Sequence, residues 1–259
     1  MITAPEIRAT KGTRRLTMLT AYDYPTALAL DQVGLDLILV GDSVAMVELG
    51  FPTTRDATLQ MMAHHVYAVR TGAVNTHIVG DLPAGSYDTP EQAVVSARIL
   101  VAAGADSVKL EGPCIAEVTA IIAAGIAVMG HVGLQPQTAT VYRREGTTPR
   151  EADRIEREAR ALADAGCFAV VIEAVPTELA TRITASLEVP TIGIAAGAET
   201  DGQVLVSTDL IGQLPFPPKF MTPKANVFEI VSRAAREYVD EVRKGATVAA
   251  TSDDWPTLA

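Results

Sequence analysis

Cysteine is scarce: Cys114 and Cys167 are the two in 259 residues, and they form no Cys-x-x-Cys pair. A disulfide framework and a thiolate zinc site are set aside on that count, and two buried free thiols are expected. Aromatic residues are few, at 5%. Bases are outnumbered, 21 against 31 acids, for a formal net charge of −10. A polyanion-binding face needs clustered Lys and Arg, so no nucleic-acid partner is expected. The longest basic feature, Arg14-Arg15 with Lys11 nearby, reads as a solvated N-terminal segment. Long apolar runs are missing too, and nothing approaches the ~18 to 20 residues a membrane helix requires. The start, M-I-T-A-P-E-I-R-A-T, lacks the charged lead and apolar centre of a signal peptide. No membrane association and a cytoplasmic location are expected. A dinucleotide loop is also absent, because Gly193–Gly197 (G-I-A-A-G) has its glycines in the wrong order and reads as tight strand-to-helix packing.

What is present is organised around Asp36–Ser43, D-L-I-L-V-G-D-S. Four uninterrupted apolar residues closed by Gly41 read as a strand buried on both faces, as in a parallel sheet covered by helices. The same unit recurs along the chain. Strands are expected at Leu16–Thr20, Thr76–Gly80, Asp106–Leu110, Ile126–Met129, Phe168–Ile172, Pro190–Ile194 and Leu205–Ser207. Helices are expected between them at Thr26–Val33, Thr58–Arg70, Pro90–Ala103, Ile115–Ala124, Arg150–Ala165 and Thr177–Leu187, with Asn226–Arg243 closing the series. Thr138–Pro149 reads as a loop. Such alternation implies right-handed βαβ units. About eight strands with no composition break favour an α/β fold of the (β/α)8 TIM-barrel type, which typically takes ~250 residues. One barrel domain over 1–244 is expected, followed by a polar, mobile tail over 245–259.

In a parallel barrel every strand ends on one face, and that face carries the chemistry. Here the strand ends deliver Asp42 and Ser43, Asp81, Lys109 and Glu111, His131, and Glu173. Each has a local alternative: Asp42 as a helix cap, Asp81 as a turn residue, Lys109 as a snorkelling base, His131 as a satisfied core histidine. Capping gives no reason for a Lys and a Glu two residues apart at one strand end. Hard oxygen ligands on neighbouring strands suit Mg2+ better than zinc. Asp42 and Asp81, with Glu111 directly or through water, would hold the ion and leave room for a 2-oxo acid. The enolate of that acid would then be stabilised. Glu173, on a more distant strand, is the candidate catalytic base, and Lys109 would pair with the substrate carboxylate or the developing oxyanion.

Val40–Ser43 (V-G-D-S), Asp81-Leu82-Pro83, Val108–Gly112 (V-K-L-E-G) and Gly130–Gln137 (G-H-V-G-L-Q-P-Q) form one ordered set of motifs. The Glu173 segment V-I-E-A-V-P and Thr200–Gln203 (T-D-G-Q) extend it. Thr20–Tyr24, Ala68–Ala73 and Pro218–Phe220 add to it. From about Thr17 to Lys244 the chain resembles the ketopantoate hydroxymethyltransferase family. The resemblance implies a barrel like those of phosphoenolpyruvate mutase and isocitrate lyase. It also implies Mg2+, 5,10-methylenetetrahydrofolate as co-substrate, and conversion of 2-oxoisovalerate to ketopantoate in pantothenate biosynthesis. By match of motif, Asp42, Asp81 and Glu111 take the metal positions. Asp42, Ser43, Asp81 and Lys109 contact substrate, and Glu173 is the general base. Homo-oligomers, commonly decamers built from pentamers, are implied as well.

The chain departs from the family pattern in places. Ala45 stands where Gly is usual, and Ile192–Gly197 reads I-G-I-A-A-G for I-G-I-G-A-G. Val141–Thr148, V-Y-R-R-E-G-T-T, replaces a G-G-[YF]-[KR]-V-Q-G loop, and the segment after Glu48 is off-pattern. These changes leave open a paralogue with the same enolate chemistry on another 2-oxo acid, with Arg143 and Arg144 greeting an extra carboxylate. A non-catalytic barrel that binds a keto acid is the reading from another class.

Overall fold

The computed structural model describes residues 1–216, 218 and 220–246. They form two compact units, residues 1–207 and the residues from Thr208 onward. In the first unit eight strands close into a parallel barrel in chain order, β1 pairing back to β8. Helix α1 (Ala4–Arg8) leads into β1 (Leu16–Thr20), and α2 (Tyr24–Asp31) into β2 (Leu37–Val40). After β2 comes the one-turn helix α3 (Val44–Val47), a short 3-10 turn at Thr54–Asp56, and α4 (Leu59–Gly72). Then follow β3 (His77–Asp81), α5 (Pro90–Ala103), β4 (Ser107–Lys109), α6 (Ile115–Ala123) and β5 (Ala127–Gly133). The barrel ends with α7 (Pro149–Asp164), β6 (Ala169–Glu173), α8 (Thr177–Ser186), β7 (Thr191–Ile194) and β8 (Gly202–Leu205). Helix α9 (Ser207–Leu210) follows. In the second unit, α10 (Val227–Arg243) is capped by the Asn226 side chain, which accepts from the Glu229 N–H.

The helices start where the chain supplies caps. Thr58, Thr89 and Thr148 each accept a bond from an N–H in the first turn, and Thr148 and Glu151 complete a capping box. Gly104 ends α5 at φ +119, a left-handed turn that costs any side chain.

Strand geometry sorts the side chains into two cores. Ile38, Val40, Ile78, Val108, Val128, Val170 and Ile172 point outward and pack under the helices. The alternate residues Leu37, Leu39, Val79, Met129, Val171, Ile192 and Val204 fill the barrel interior, and Ile7 of α1 joins that cluster. This inner row positions the site. Continuing by two residues toward the strand ends leads from Val79 to Asp81, from Met129 to His131 and from Val171 to Glu173.

Most of the expected elements stand within a few residues of their places. The last strand is a correction: it runs over Gly202–Leu205, against an expectation of Leu205–Ser207. Only Gly202 and Val204 of that strand are buried, so it carries no apolar run to read. Strand β5 extends through Gly130, His131 and Gly133, past the apolar stretch that marked it. Helices α1 and α3 are too short to show a periodicity. The tail expected over 245–259 lies outside the described residues from 247 on, as does Lys219 of the Pro218–Phe220 motif. No helix among the described residues is long and apolar enough to cross a membrane.

Candidate active site

Parallel pairing sets which functional side chains meet. Asp81 is directly opposite Lys109 across β3 and β4, and Gly133 is opposite Glu173 across β5 and β6. Asp42 follows β2 and donates its backbone N–H to Asp81 Oδ2 at 3.3 Å. Lys109 Nζ lies 2.8 Å from Asp81 Oδ1 with both side chains buried. That contact is an ion pair without hydrogen-bond alignment, and Asp81 Oδ1 has no aligned donor. Glu111, also buried, accepts the Gln137 backbone N–H on Oε2 at 3.0 Å. Ser43, after Asp42, shares a 2.8 Å hydrogen bond with the Tyr22 hydroxyl.

Across the barrel mouth, Glu173 ends β6 with its side chain 22% exposed, and His131 Nε2 is 3.2 Å from its Oε2. The other ring nitrogen, Nδ1, is 3.6 Å from Glu111 Oε1. All six residues expected at the site (Asp42, Ser43, Asp81, Lys109, Glu111 and Glu173) line one cleft with His131. Its other wall is apolar, formed by Leu39, Val171, Ile194 and Val204.

The charges in this cleft do not balance. Asp42, Asp81 and Glu111 face a single ammonium. Burial raises the Asp42 carboxyl well above the usual range, and the Asp81 charge pushes it further. Burial likewise raises Glu111, against the opposing pull of His131 and Lys109. For Lys109 burial alone would favour the neutral amine, but Asp81, Glu111 and Asp42 together hold its pKa above the ordinary lysine value. Excess negative charge among hard oxygens fits a divalent cation. Among the described residues no three His, Cys, Asp or Glu side chains form a ready-made cage. That suits an ion that takes one or two carboxylates and fills its shell with water and substrate oxygens.

Two side chains to which the sequence assigns no definite role are central here. His131 was open between a core role and a site role, and the structure places it between Glu111 and Glu173. Gln137 is buried beside Asp42 and Glu111, and its signal was its place in G-H-V-G-L-Q-P-Q. The loop arginines go the other way. Arg143 pairs with Glu145 and Glu151, each at 3.3 Å, and neither Arg143 nor Arg144 lines the cleft. Both cysteines are free, and burial pushes the Cys167 thiol up to about 12.

The family model for ketopantoate hydroxymethyltransferase matches residues 1–247. A 3-methyl-2-oxobutanoate hydroxymethyltransferase of Oleidesulfovibrio alaskensis is 48% identical over 257 residues, 96% of this chain and 89% of that protein. Among solved structures, phosphoenolpyruvate phosphomutase of Streptomyces platensis superposes with a TM-score of 0.66 at 15% identity, covering 99% of this chain and 93% of that one. Phosphonopyruvate hydrolase in complex with oxalate and Mg2+ superposes at 0.65 with 14% identity, over 99% and 93% of the two chains. These two likenesses concern the fold alone, a closed eight-stranded parallel barrel ringed by helices. Sequence identity and the whole-chain match carry the assignment: this chain belongs to the ketopantoate hydroxymethyltransferase family.

Proposed function

We propose that the chain adds the one-carbon unit of 5,10-methylenetetrahydrofolate to C3 of 2-oxoisovalerate, water supplying the hydroxyl and tetrahydrofolate leaving, to give ketopantoate, with Mg2+ held by Asp42 and Asp81 and by Glu111 directly or through water. The observation that carries the reading is the placement of Glu173 against the carboxylate cluster. Asp42 follows β2 and Glu173 ends β6, which are diametrically opposed in an eight-stranded ring. A 2-oxo acid lying between them would present its oxygens to one side and its C3 proton to the other.

When bound, the ion supplies a Lewis acid for the ketone oxygen and the folate supplies the one-carbon unit. The chain's residues do the rest. Glu173 takes the C3 proton, and His131 Nε2 stands 3.2 Å from its Oε2 without an aligned hydrogen bond, close enough to turn toward it once substrate is bound. Lys109 stays protonated among three carboxylates and meets the negative charge of the substrate. Ser43, tethered by Tyr22, offers its backbone and hydroxyl to the substrate carboxylate. Leu39, Val171, Ile194 and Val204 take the isopropyl group and keep water from that side of C3.

Lys109 is the only Lys or Arg among the described residues lining the cleft, which favours a substrate with one carboxylate over a dicarboxylate. We further propose a cytoplasmic homo-oligomer, a decamer by analogy with the family. Deuterium exchange at C3 of 2-oxoisovalerate tests the chemistry. Exchange is expected with Mg2+ and not with a chelator, and its persistence in Glu173→Gln would remove Glu173 as base. A panel of 2-oxo acids tests the substrate, and a preference for a dicarboxylate would refute 2-oxoisovalerate.

A further inference from the structure

Gln137 is 4% exposed and uses its side chain and backbone on four partners. Its Nε2 donates to Asp42 Oδ2 at 2.8 Å and to Leu82 O at 3.0 Å. Its backbone N–H donates to Glu111 Oε2 at 3.0 Å, and its Oε1 accepts the Tyr87 hydroxyl at 2.5 Å. The amide can sit only this way round. A carboxylate oxygen and a backbone carbonyl both accept, so the NH2 end must face them. The carbonyl end then faces Tyr87, whose phenol must donate. Burial raises the Tyr87 pKa, so the proton stays in place.

The residue type matters as much as the contacts. Asp42 and Glu111 follow different strands, β2 and β4, and repel each other, so something must hold them. An Arg or Lys in the place of Gln137 would neutralise them and compete with a cation. A neutral side-chain amide holds Asp42 while the backbone N–H of the same residue holds Glu111, and neither cancels the negative charge of the cluster. The backbone around it is pinned: Thr138 and Ala139 both donate to Gln135 O, and Leu134 donates to Glu173 O. Gly133 makes the bend possible, at φ +94 and with Glu173 O only 2.2 Å from where a Cβ would sit.

We infer that Gln137 is a positioning residue for the divalent-cation site, holding Asp42 and Glu111 from one amide and one N–H while Tyr87 locks the amide. The inference rests on reading Asp42, Asp81 and Glu111 as the metal carboxylates. Replacement of such supporting groups typically weakens metal affinity by 10- to 100-fold.

The test is calorimetric titration of the metal-free protein with Mg2+ alone, on wild type, Asp42→Asn, Gln137→Met and Tyr87→Phe, with thermal melts alongside. Gln137→Met keeps the volume and removes the side-chain bonds to Asp42, Leu82 and Tyr87, while the backbone N–H to Glu111 stays. It is expected to raise the Mg2+ Kd by about 10- to 100-fold. Tyr87→Phe leaves Gln137 present but unlocked and is expected to raise it by roughly 2- to 10-fold. In turnover, the Gln137→Met loss should shrink as Mg2+ is raised, because the defect lies in binding the ion. A purely structural glutamine would lower the melting temperature and leave the Mg2+ Kd within about twofold, which overturns the proposal. Should Gln137→Met fail to fold, an unchanged Kd in Tyr87→Phe overturns it equally. If Asp42→Asn binds Mg2+ as wild type does, the metal reading falls, and this proposal with it.

Discussion

His131 Nε2 lies 3.2 Å from Glu173 Oε2, and the same ring reaches Glu111 Oε1 from its other nitrogen at 3.6 Å. One imidazole thus stands between the two halves of the cleft, with no aligned hydrogen bond to either carboxylate. If Glu173 is the base, losing its carboxylate should cost about 10^2- to 10^4-fold in C3 proton exchange. His131→Gln should cost less, because it disturbs the orientation of Glu173 while leaving the base in place. The double variant should be no slower than Glu173→Gln alone, since residues acting as a unit are not additive. Fully multiplicative losses in isotope exchange would mean that His131 acts independently of Glu173.

The raised Asp42 and Glu111 carboxyls make stability depend on pH when metal is removed. A carboxyl whose folded pKa lies above its unfolded one, about 3.9 for Asp, binds more protons folded than unfolded in the window between the two values. Stability is therefore lost as pH rises through that window, and the loss is complete above the folded pKa. His77 opposes this, because burial lowers its pKa and its contribution is lost as pH falls. Comparison with Asp42→Asn isolates the Asp42 part. In chelator, the wild-type melting temperature should fall relative to that of Asp42→Asn as pH increases from 5 to 8. Parallel curves would show that Asp42 is not held in its protonated form. Mg2+ should stabilise wild type more at the upper end of that range, where it competes with fewer protons.

The closed barrel was legible because short strand-like segments alternate with helices along the chain, and five of them, those of β2 to β6, deliver a polar or charged residue at or just past their ends. Asp42, Asp81, Lys109, Glu111 and Glu173 could be read from that position alone, since an acid beyond a buried strand serves no core. Strand β8 was misplaced because one buried Val and one Gly cannot make a pattern. The role of Gln137 was hidden for another reason. It lies past the end of β5, and only the folded chain shows that the segment turns back over Asp42. For Arg143 and Arg144 the sequence left a substrate contact open beside a solvated loop pair, and the structure gives Arg143 to Glu145 and Glu151 and keeps both arginines out of the cleft lining.

Two departures from the family pattern should respond oppositely to the same change. Ala195 adopts φ +50, a left-handed conformation that costs an L-residue roughly 1–2 kcal/mol. Ala195→Gly relieves this but adds chain entropy to the unfolded state, about 0.4–1 kcal/mol. A net gain of about 0.5–1 kcal/mol is expected, a rise of roughly 1–4 °C for a chain of this size. Ala45 instead lies inside α3 and is fully buried. Ala45→Gly should destabilise by about 1 kcal/mol or more, from helix propensity and the lost methyl. Melting curves of the two variants check both signs, and a loss at Ala195 would contradict the strain argument.

The altered loop makes the sharpest claim about substrate choice. Arg143 spends its guanidinium on Glu145 and Glu151, and Arg154 also reaches Glu145, at 3.7 Å. This network ties the loop to the start of α7, where Glu151 already closes the capping box with Thr148. Exposed pairs of this kind contribute about 0–1 kcal/mol each. Arg143→Ala should therefore cost a little stability and leave the KM for 2-oxoisovalerate within about twofold, because the charge it removes does not face the cleft. Arg144→Ala, on an exposed side chain outside the cleft lining, should behave the same way. If the arginines served a second carboxylate, each alanine variant would raise the KM of a 2-oxo dicarboxylate by about tenfold, the equivalent of ~1.4 kcal/mol, while sparing 2-oxoisovalerate. Steady-state kinetics on both substrates separate these outcomes, and a selective loss with the dicarboxylate would move the assignment to a larger 2-oxo acid.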